Sequence, residues 1–272
     1  LLLMCDFSVL LPIYNRVELK TTFPKCLDAI SKLSVLPSEV LIVCDGPIGW
    51  DIDQQVQNYL PELNIKVFRL QQNLGLSKAL NIGLQECKYD IIARVDADDY
   101  CSQDRFAKQL KLIGLGFNLI GSNIQEIDEV GLLQNIREVP RCEIEIKKFA
   151  LRRNPFNHMS IMYHRELLFA VGGYPNFHLK EDYALWVLLL SKKMVKPINI
   201  QENLMMVTAG RNLYSRRSSI RILGQELRMQ FFLRKHLKKP FQLMILDFLL
   251  RFLFYFLPIQ IKEFLYKKML RK

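Results

Sequence analysis

The chain has 272 residues, half of them apolar, so it can bury a large core and disorder is not expected. Its formal net charge is +11, but residues 205–272 hold 15 basic against 3 acidic side chains, while residues 1–204 are nearly neutral. Because the basic segment is also rich in Phe and Leu, it favours an anionic membrane surface and argues against a nucleic-acid partner. The six cysteines form no Cys-x-x-Cys pair or Cys/His cluster, which indicates a reducing cytosol.

Short apolar runs alternate with segments of helical periodicity through the first hundred residues. The runs predicted to be strands cover residues 7–14, 40–44, 65–70 and 91–95. Four strands joined by helical crossovers predict an α/β fold with a Rossmann-like, mostly parallel sheet. Ligands of such sheets bind at the carboxyl ends of the strands. Polar and turn-forming residues follow those ends here, at 12–16, 45–46, 71–75 and 96–99.

Beyond Tyr100 the alternation becomes irregular. The pattern predicts a hairpin about Asp128 to Gly131, a helix near residues 143–151 and a helix over residues 181–192. This second half is expected to hold the second substrate.

The strongest chemical signal is an acidic cluster that directly follows an apolar strand. Asp96, Asp98 and Asp99 lie within four residues. Their mutual repulsion is relieved by a hard divalent cation, and Mn2+ or Mg2+ prefers such oxygen ligands together with substrate phosphates. The alternative is a solvated acidic turn.

A second signal is the pair Glu181 and Asp182, which opens the predicted helix 181–192. One carboxylate could remove a proton from an attacking hydroxyl while the other orients the substrate. Favourable interaction with the helix dipole is the alternative explanation.

Several motifs, in order, resemble the family 2 glycosyltransferases of GT-A fold, over about residues 7–214. They are Ser8-Val-Leu-Leu-Pro-Ile-Tyr-Asn15, Glu39-Val-Leu-Ile-Val-Cys-Asp-Gly46, Asn73-Leu-Gly-Leu-Ser-Lys-Ala-Leu-Asn-Ile-Gly83 and the acidic cluster. The resemblance implies an inverting enzyme of the type that builds bacterial surface polysaccharides. It also implies a GT-A domain over residues 1–215, with the nucleotide-sugar half at 1–100 and the acceptor half at 101–215.

The resemblance assigns a role to each matching residue. Asp182 is the expected catalytic base, Asp98 the metal ligand, and Glu181 and Trp186 the acceptor-binding residues. Asp45 is expected to accept from a pyrimidine N3–H, although an ordinary Asp-Gly turn explains it equally simply. Lys78 has the alternative of a solvated helix charge. The full set of expected donor-binding residues is Pro12, Tyr14, Asn15, Asp45, Asn73, Lys78, Arg94, Asp96 and Arg211.

The implied function is transfer of a sugar from a nucleotide sugar, expected to be a UDP-sugar, to a lipid-linked glycan acceptor in O-antigen, capsule or exopolysaccharide synthesis. A sugar-1-phosphate nucleotidyltransferase is an alternative, but its first loop should be rich in glycine, and residues 12–16 contain none. A non-catalytic membrane-binding module is another alternative, which leaves the carboxylates at 96–99 and 181–182 without purpose.

Residues 216–272 are predicted to form a basic, amphipathic helical tail. Its apolar stretch at 241–261 contains Asp247 and Arg251, and two charges near mid-bilayer disfavour a membrane span. A helix lying in the interface, with its basic neighbours on anionic headgroups, is expected instead. This predicts a peripheral protein on the cytoplasmic, inner face of the plasma membrane. Packing of the tail on the domain, or in a homodimer through the C-terminal helices, are the alternatives.

Overall fold

The computed structural model describes residues 5–128, 131–208 and 220–257. The first four strands are β1 (Phe7–Ile13), β2 (Glu39–Cys44), β3 (Ile65–Arg69) and β4 (Ile91–Arg94). They lie in the order β3-β2-β1-β4 and every pair is parallel. The predicted parallel α/β arrangement of this half is confirmed.

The second half of the chain extends this sheet with strands of mixed direction. They are β5 (Asp99–Cys101), β6 (Leu119–Ile127), β7 (Leu133–Arg137), β8 (Met162–His164) and β9 (Pro197–Thr208). The order continues from β4 as β8-β6-β9-β5, with β7 paired to β6. β8 is antiparallel to β4, whereas β6 and β9 are parallel to each other. The antiparallel pairing of β6 with β7 confirms the predicted hairpin.

Helices cover both faces of the sheet, since alternate residues of each strand point to opposite sides. Val9 and Leu11 join a core with α1 (Leu19–Ser31), α2 (Ile52–Gln57) and α4 (Arg105–Gly114). Leu10 joins a second core on the other side. That core includes α3 (Leu76–Glu86), α5 (Glu143–Ala150), α6 (Arg165–Phe169) and α7 (Glu181–Leu190). Burial on both faces explains why β1 and β2 are almost continuously apolar.

Helix α3 lies very close to the sheet because Gly83 has no side chain. A Cβ at this position would stand 2.5 Å from Leu10 Cδ1 and 2.8 Å from Val43 Cγ2. A larger residue here would require the Leu10 and Val43 side chains, or the helix, to shift. Glycine therefore lets α3 lie close to β1 and β2.

The tail contains two described helices, α8 (Ile220–Leu237) and α9 (Phe241–Phe256), which pack together as a hairpin. The boundary predicted between residues 215 and 216 lies outside the described residues. Met229 and Leu233 of α8 form a small core with Tyr183 and Val187 of α7. The hairpin therefore packs against α7, in the second half of the domain.

The orientation of α9 corrects the expectation that Asp247 and Lys239 face solvent or headgroups. Asp247 is only 4% exposed, and Lys239, which precedes the helix, is fully buried. Apolar side chains point outward, with Leu249 50% and Leu253 63% exposed. Asp247 turns inward because it pairs with Arg152 of the domain and with Lys239. Within the described ranges no helix combines the length and apolarity that a membrane crossing requires.

Candidate active site

A cleft of about 400 Å³ opens where β1, β2 and β4 end. The chain leaves the sheet at these points, which is where parallel α/β sheets bind ligands. Among its lining residues are six that the sequence assigns to the donor or the metal: Pro12, Tyr14, Asp45, Asn73, Asp96 and Asp98. The structure thus brings together residues from four separate motifs.

Asp45 organises one wall of the cleft. Its Oδ1 accepts from the backbone N–H of Leu74 at 2.6 Å, and its Oδ2 accepts from that of Gly75 at 3.0 Å. The Asn73 side chain in turn donates to the Asp45 carbonyl at 3.2 Å. Asp45 therefore ties the end of β2 to the loop before α3. Each carboxylate oxygen keeps a second lone pair, so Asp45 retains the capacity to accept from a base.

Gly46 allows this close approach of the two loops. Its φ is +88°, and an added Cβ would stand 2.6 Å from the backbone nitrogen of Asn73. The turn that follows β2 is thus restricted to glycine by both conformation and space.

Three predicted donor residues do not line the cleft. The side chain of Asn15 accepts from the Gly49 backbone N–H at 3.2 Å and braces the neighbouring loop. Lys78 lies exposed on α3. Arg94 is buried at 1% exposure beneath the acidic cluster, where it pairs with Asp96. Arg211 lies outside the described residues.

The acidic cluster divides into three differently placed carboxylates. Asp96 is held by Arg94, and Asp98 accepts from Arg16 Nη2 at 2.7 Å. Asp99 is buried, and burial together with the nearby Asp96 and Asp98 raises its pKa well above the usual range. Three acidic side chains and two arginines thus lie close together at the end of β4.

These residues fit a hard divalent ion. Asp98 is 33% exposed, and it lines the cleft with its carboxylate already bound to a cation, the guanidinium of Arg16. Among the residues that the structure describes, no three His, Cys, Asp or Glu side chains are grouped closely enough to hold a metal alone. Oxygen ligands from a bound diphosphate would therefore have to complete the coordination, as Mg2+ and Mn2+ sites commonly require.

Glu181 and Asp182 open α7 in the second half of the domain. Asp182 Oδ2 accepts from Asn154 Nδ2 at 2.6 Å, and Oδ1 accepts from the Tyr183 backbone N–H at 2.7 Å. Burial raises the pKa of Asp182. Burial, followed by the adjacent Asp182 charge, raises the pKa of Glu181 to about 7. Desolvated carboxylates with raised pKa values in a polar site are typical of groups that move protons near neutral pH.

Two features connect the carboxylate pair to the cleft. Asn81 of α3 donates to the Tyr174 carbonyl at 2.9 Å and accepts from the Tyr174 backbone N–H at 2.7 Å. The buried Arg94 is ion-paired with Asp96, and its charge also lowers the pKa values of Glu181 and Asp182, against the larger effect of burial. Both carboxylate groups therefore lie in the field of one guanidinium.

Trp186 does not take the predicted position in an acceptor surface. Its side chain is fully buried and packs edge-on against Phe156, with ring centroids 5.3 Å apart, and near His158. The residue lies on the sheet-facing side of α7, so its assignment to acceptor binding is wrong in this structure. Its role is to pack α7 on the core.

Residues 8–171 of the chain match the model of the family described as "Glycosyl transferase family 2". The chain belongs to glycosyl transferase family 2. This glycosyltransferase is 31% identical over 266 residues to the amylovoran biosynthesis glycosyltransferase AmsE of Erwinia amylovora, covering 96% of this chain and 98% of the relative. It is also 31% identical over 269 residues to UDP-Gal:alpha-D-GlcNAc-diphosphoundecaprenol beta-1,3-galactosyltransferase of Escherichia coli, covering 98% and 97%.

Solved structures share the fold of the glycosyltransferase. S. aureus TarS 1-349 in complex with UDP-GlcNAc aligns with a TM-score of 0.65 at 18% identity, covering 85% of this chain and 67% of that chain. The mannosyltransferase PcManGT from Pyrobaculum calidifontis, in complex with GDP-Man and Mn2+, aligns with a TM-score of 0.57 at 17% identity, covering 85% and 62%. The predicted GT-A fold is confirmed. Family membership also favours a glycosyltransferase over the nucleotidyltransferase and membrane-module alternatives.

Sequence reasoning missed two residues of the glycosyltransferase site. Arg16 directly follows the motif that ends at Asn15, and this position next to the expected donor-binding residues is a sequence signal that identifies it as a candidate. Asn154 holds the expected base but lies 28 residues before it in a stretch without a motif. Only the folded chain brings Asn154 and Asp182 together.

Proposed function

We propose that this glycosyltransferase transfers a sugar from a UDP-sugar to a lipid-linked glycan, with inversion, in the synthesis of a bacterial surface polysaccharide. The two relatives support the pathway class, because one is an amylovoran biosynthesis glycosyltransferase and the other is a beta-1,3-galactosyltransferase that acts on alpha-D-GlcNAc-diphosphoundecaprenol. Both relatives match nearly the whole chain. The structural neighbour bound to UDP-GlcNAc is consistent with a nucleotide-sugar donor.

One observation carries the proposal: the buried Arg94 is ion-paired with Asp96 of the donor cleft and also acts on the pKa values of Glu181 and Asp182. The cleft supplies Asp45, Asp96 and Asp98. Glu181 and Asp182 supply the base-like carboxylate pair. A transferase needs these two sites side by side, because a donor carbon and an acceptor oxygen must meet at bonding distance.

The mechanism follows from the placement of these groups. Asp182 accepts the proton of the acceptor hydroxyl as that oxygen bonds to the anomeric carbon of the sugar. The bond from the anomeric carbon to the diphosphate oxygen breaks, and UDP leaves with the bonding electrons. A single displacement of this kind inverts the anomeric configuration. Asn154 and the Tyr183 backbone N–H hold the Asp182 carboxylate in place during the transfer.

Asp98 is the proposed protein ligand of Mn2+ or Mg2+, and Asp96 the proposed ribose ligand. When bound, the ion supplies positive charge that stabilises the departing diphosphate. Arg16 is ion-paired with Asp98. Once Asp98 binds the metal ion, Arg16 is positioned to bind phosphate oxygens of the donor.

The outward face of the C-terminal hairpin supports a peripheral position on an anionic membrane. It exposes a broad set of apolar side chains, namely Phe231, Phe241, Ile245, Leu246, Leu249, Leu250, Leu253 and Phe256. Exposed cationic residues lie beside this face at Arg234, Lys235 and Lys238. Each cation near an anionic surface contributes about 1 kcal/mol, and the apolar side chains enter the headgroup boundary. The cytoplasmic leaflet, which is anionic and meets UDP-sugars, is the proposed site.

The catalytic proposal is tested with a panel of nucleotide sugars and a lipid diphosphate-linked acceptor. Asp182→Asn should lower kcat by about 100-fold or more while UDP affinity, measured by calorimetry, stays within twofold. Glu62→Gln, an exposed carboxyl on the opposite part of the domain, is the matched control. Full transfer activity in Asp182→Asn would refute the assigned base, and retention of configuration in the product would refute the single displacement.

The membrane proposal is tested by sedimentation with vesicles. Wild-type protein should bind vesicles that contain phosphatidylglycerol and bind purely zwitterionic vesicles less. The double variant Leu250→Glu/Leu253→Glu should lose vesicle binding but keep transfer to a soluble acceptor analogue. A stable dimer in light scattering, combined with no vesicle binding, would instead assign this face to a second copy of the chain.

A further inference from the structure

The inward face of the α8–α9 hairpin carries charged side chains that lie almost without solvent. Glu226 is 5% exposed, Asp247 is 4% exposed and Lys239 is fully buried. Removing such charges from water costs several kcal/mol each unless partners with good geometry compensate for it. The partners of these charges therefore identify the segments of the domain to which the hairpin is bound.

Glu226 of α8 collects three donors. Lys180 forms a close ion pair with its carboxylate, Arg251 of α9 contacts it through Nε and Nη1 at 3.0 Å each, and Gln230 Nε2 donates at 2.9 Å. Burial acts to raise the pKa of Glu226, but Arg251 and Lys180 outweigh it and the pKa is lowered. Glu226 thus joins both tail helices to the residue that precedes α7.

Asp247 of α9 forms a second junction. Its Oδ1 accepts from Arg152 Nε and Nη2 at 2.8 and 2.6 Å, and its Oδ2 accepts from Lys239 Nζ at 2.7 Å. Arg251 also donates to the Arg152 carbonyl at 2.6 Å. The hairpin is therefore bound through both an ion pair and a backbone hydrogen bond to the segment that follows α5.

Both junctions lie next to the supports of Asp182. Lys180 is two residues before Asp182 at the start of α7. Arg152 is two residues before Asn154, whose side chain donates to Asp182 Oδ2 at 2.6 Å. The two segments are also joined directly, because the Tyr183 O–H donates to the Ala150 carbonyl at 2.7 Å. The hairpin thus contacts the elements on both sides of the base.

We propose that Glu226 and Asp247 are positioning residues, through which the C-terminal hairpin fixes the carboxylate of Asp182. The proposal rests on the proposed role of Asp182 as the base. If Glu226 loses its charge, Lys180 and Arg251 each lose an ion pair with it, and the first turn of α7 is expected to shift. A displacement of about 1 Å at a reacting group can cost on the order of 100-fold in rate.

The experiment measures kcat, KM for both substrates and UDP affinity for Glu226→Gln and Asp247→Asn. Each variant keeps the shape of the side chain and removes its charge. We expect kcat to fall about 10- to 100-fold, with UDP affinity within twofold of wild type, because the donor cleft lies in the other half of the domain. Glu202→Gln is the matched control, since it breaks an exposed ion pair with Lys108 far from the hairpin.

A double-mutant cycle separates positioning from general loss of structure. In the Asp182→Asn background, Glu226→Gln should lower the residual rate by less than threefold, because its target is already gone. Loss of folded protein would instead lower both backgrounds by the same factor. Asp247→Asn supplies the same cycle if Glu226→Gln does not fold, and all assays are run well below the measured Tm.

Two results would overturn the positioning role. One is a kcat within twofold of wild type for both folded variants; the other is an equal loss in the wild-type and Asp182→Asn backgrounds. Either result leaves the proposed base intact, provided that Asp182→Asn alone shows the expected loss of about 100-fold or more in kcat. Full activity of Asp182→Asn would instead remove the proposed function first.

Discussion

Replacing Glu181 by Gln should stabilise the protein at alkaline pH and leave it unchanged at acidic pH. Burial and the neighbouring Asp182 raise the pKa of Glu181 from 4.5 to about 7 in the folded chain. Well below pH 4.5 the carboxyl is neutral in both states and carries no penalty. Between pH 4.5 and 7 the unfolded chain loses this proton while the folded protein retains it, so stability falls over this range and the full penalty is present above pH 7.

The size of the effect follows from that shift. A change from 4.5 to about 7 corresponds to roughly 3 kcal/mol, which partial solvent access reduces to about 1 to 3 kcal/mol. For a chain of this size 1 kcal/mol moves Tm by about 2 °C, so Glu181→Gln should raise Tm by about 2 to 6 °C at pH 8.5. At pH 5, just above the unfolded pKa, the same shift gives less than about 1 kcal/mol, so the two proteins should melt within about 2 °C of each other.

Thermal unfolding by circular dichroism at pH 5 and pH 8.5 measures this difference. Glu62→Gln, which changes an exposed glutamate, should show no pH-dependent gain. An equal change in Tm at both pH values would show that Glu181 stabilises or destabilises the fold through packing alone. A lower Tm at pH 8.5 would refute the buried-charge explanation directly.

Asp98→Ala should lower the affinity for Mn2+ in the presence of UDP by at least 10-fold, measured by electron paramagnetic resonance of free Mn2+, and should lower kcat in parallel. Arg16→Gln should raise Mn2+ affinity severalfold without nucleotide, because it removes the cation that is ion-paired with Asp98. The same variant should weaken UDP binding. Unchanged affinities for both Mn2+ and UDP would contradict the proposal that Arg16 moves from Asp98 to the phosphate oxygens. Gly46→Ala should cost about 1 to 3 kcal/mol in denaturant unfolding and weaken UDP binding, since its Cβ meets Asn73. Gly116→Ala is its control, because that residue has a φ of +90° but open space around it.

Much of the donor half could be predicted from the sequence because its signals are local. An apolar strand followed by Asp45-Gly46 or by Asp96 to Asp99 places polar side chains at one sheet edge, and the parallel register confirms that geometry. The helix that opens at Glu181 was predicted for the same reason, since its pattern is contained in a dozen residues.

The contacts made by the tail could not be predicted, because they join residues far apart in the chain. Asp247 pairs with Arg152, which lies 95 residues earlier, and Glu226 pairs with Lys180, 46 residues earlier. In the sequence Asp247 is a charge that interrupts an apolar stretch, so a solvent-facing position is the natural expectation. Trp186 is the opposite case. The family resemblance assigns it to acceptor binding, but its side chain is fully buried in the core.

The missing side chain at Gly83 links the interior of the sheet to the proposed donor cleft. Leu10 and Val43 lie against α3, and α3 begins at the loop whose amides donate to Asp45. A bulkier or smaller residue at either position should raise or lower that helix and carry the loop with it. Under the proposed function, donor preference is expected to change through substitutions at positions that do not line the cleft.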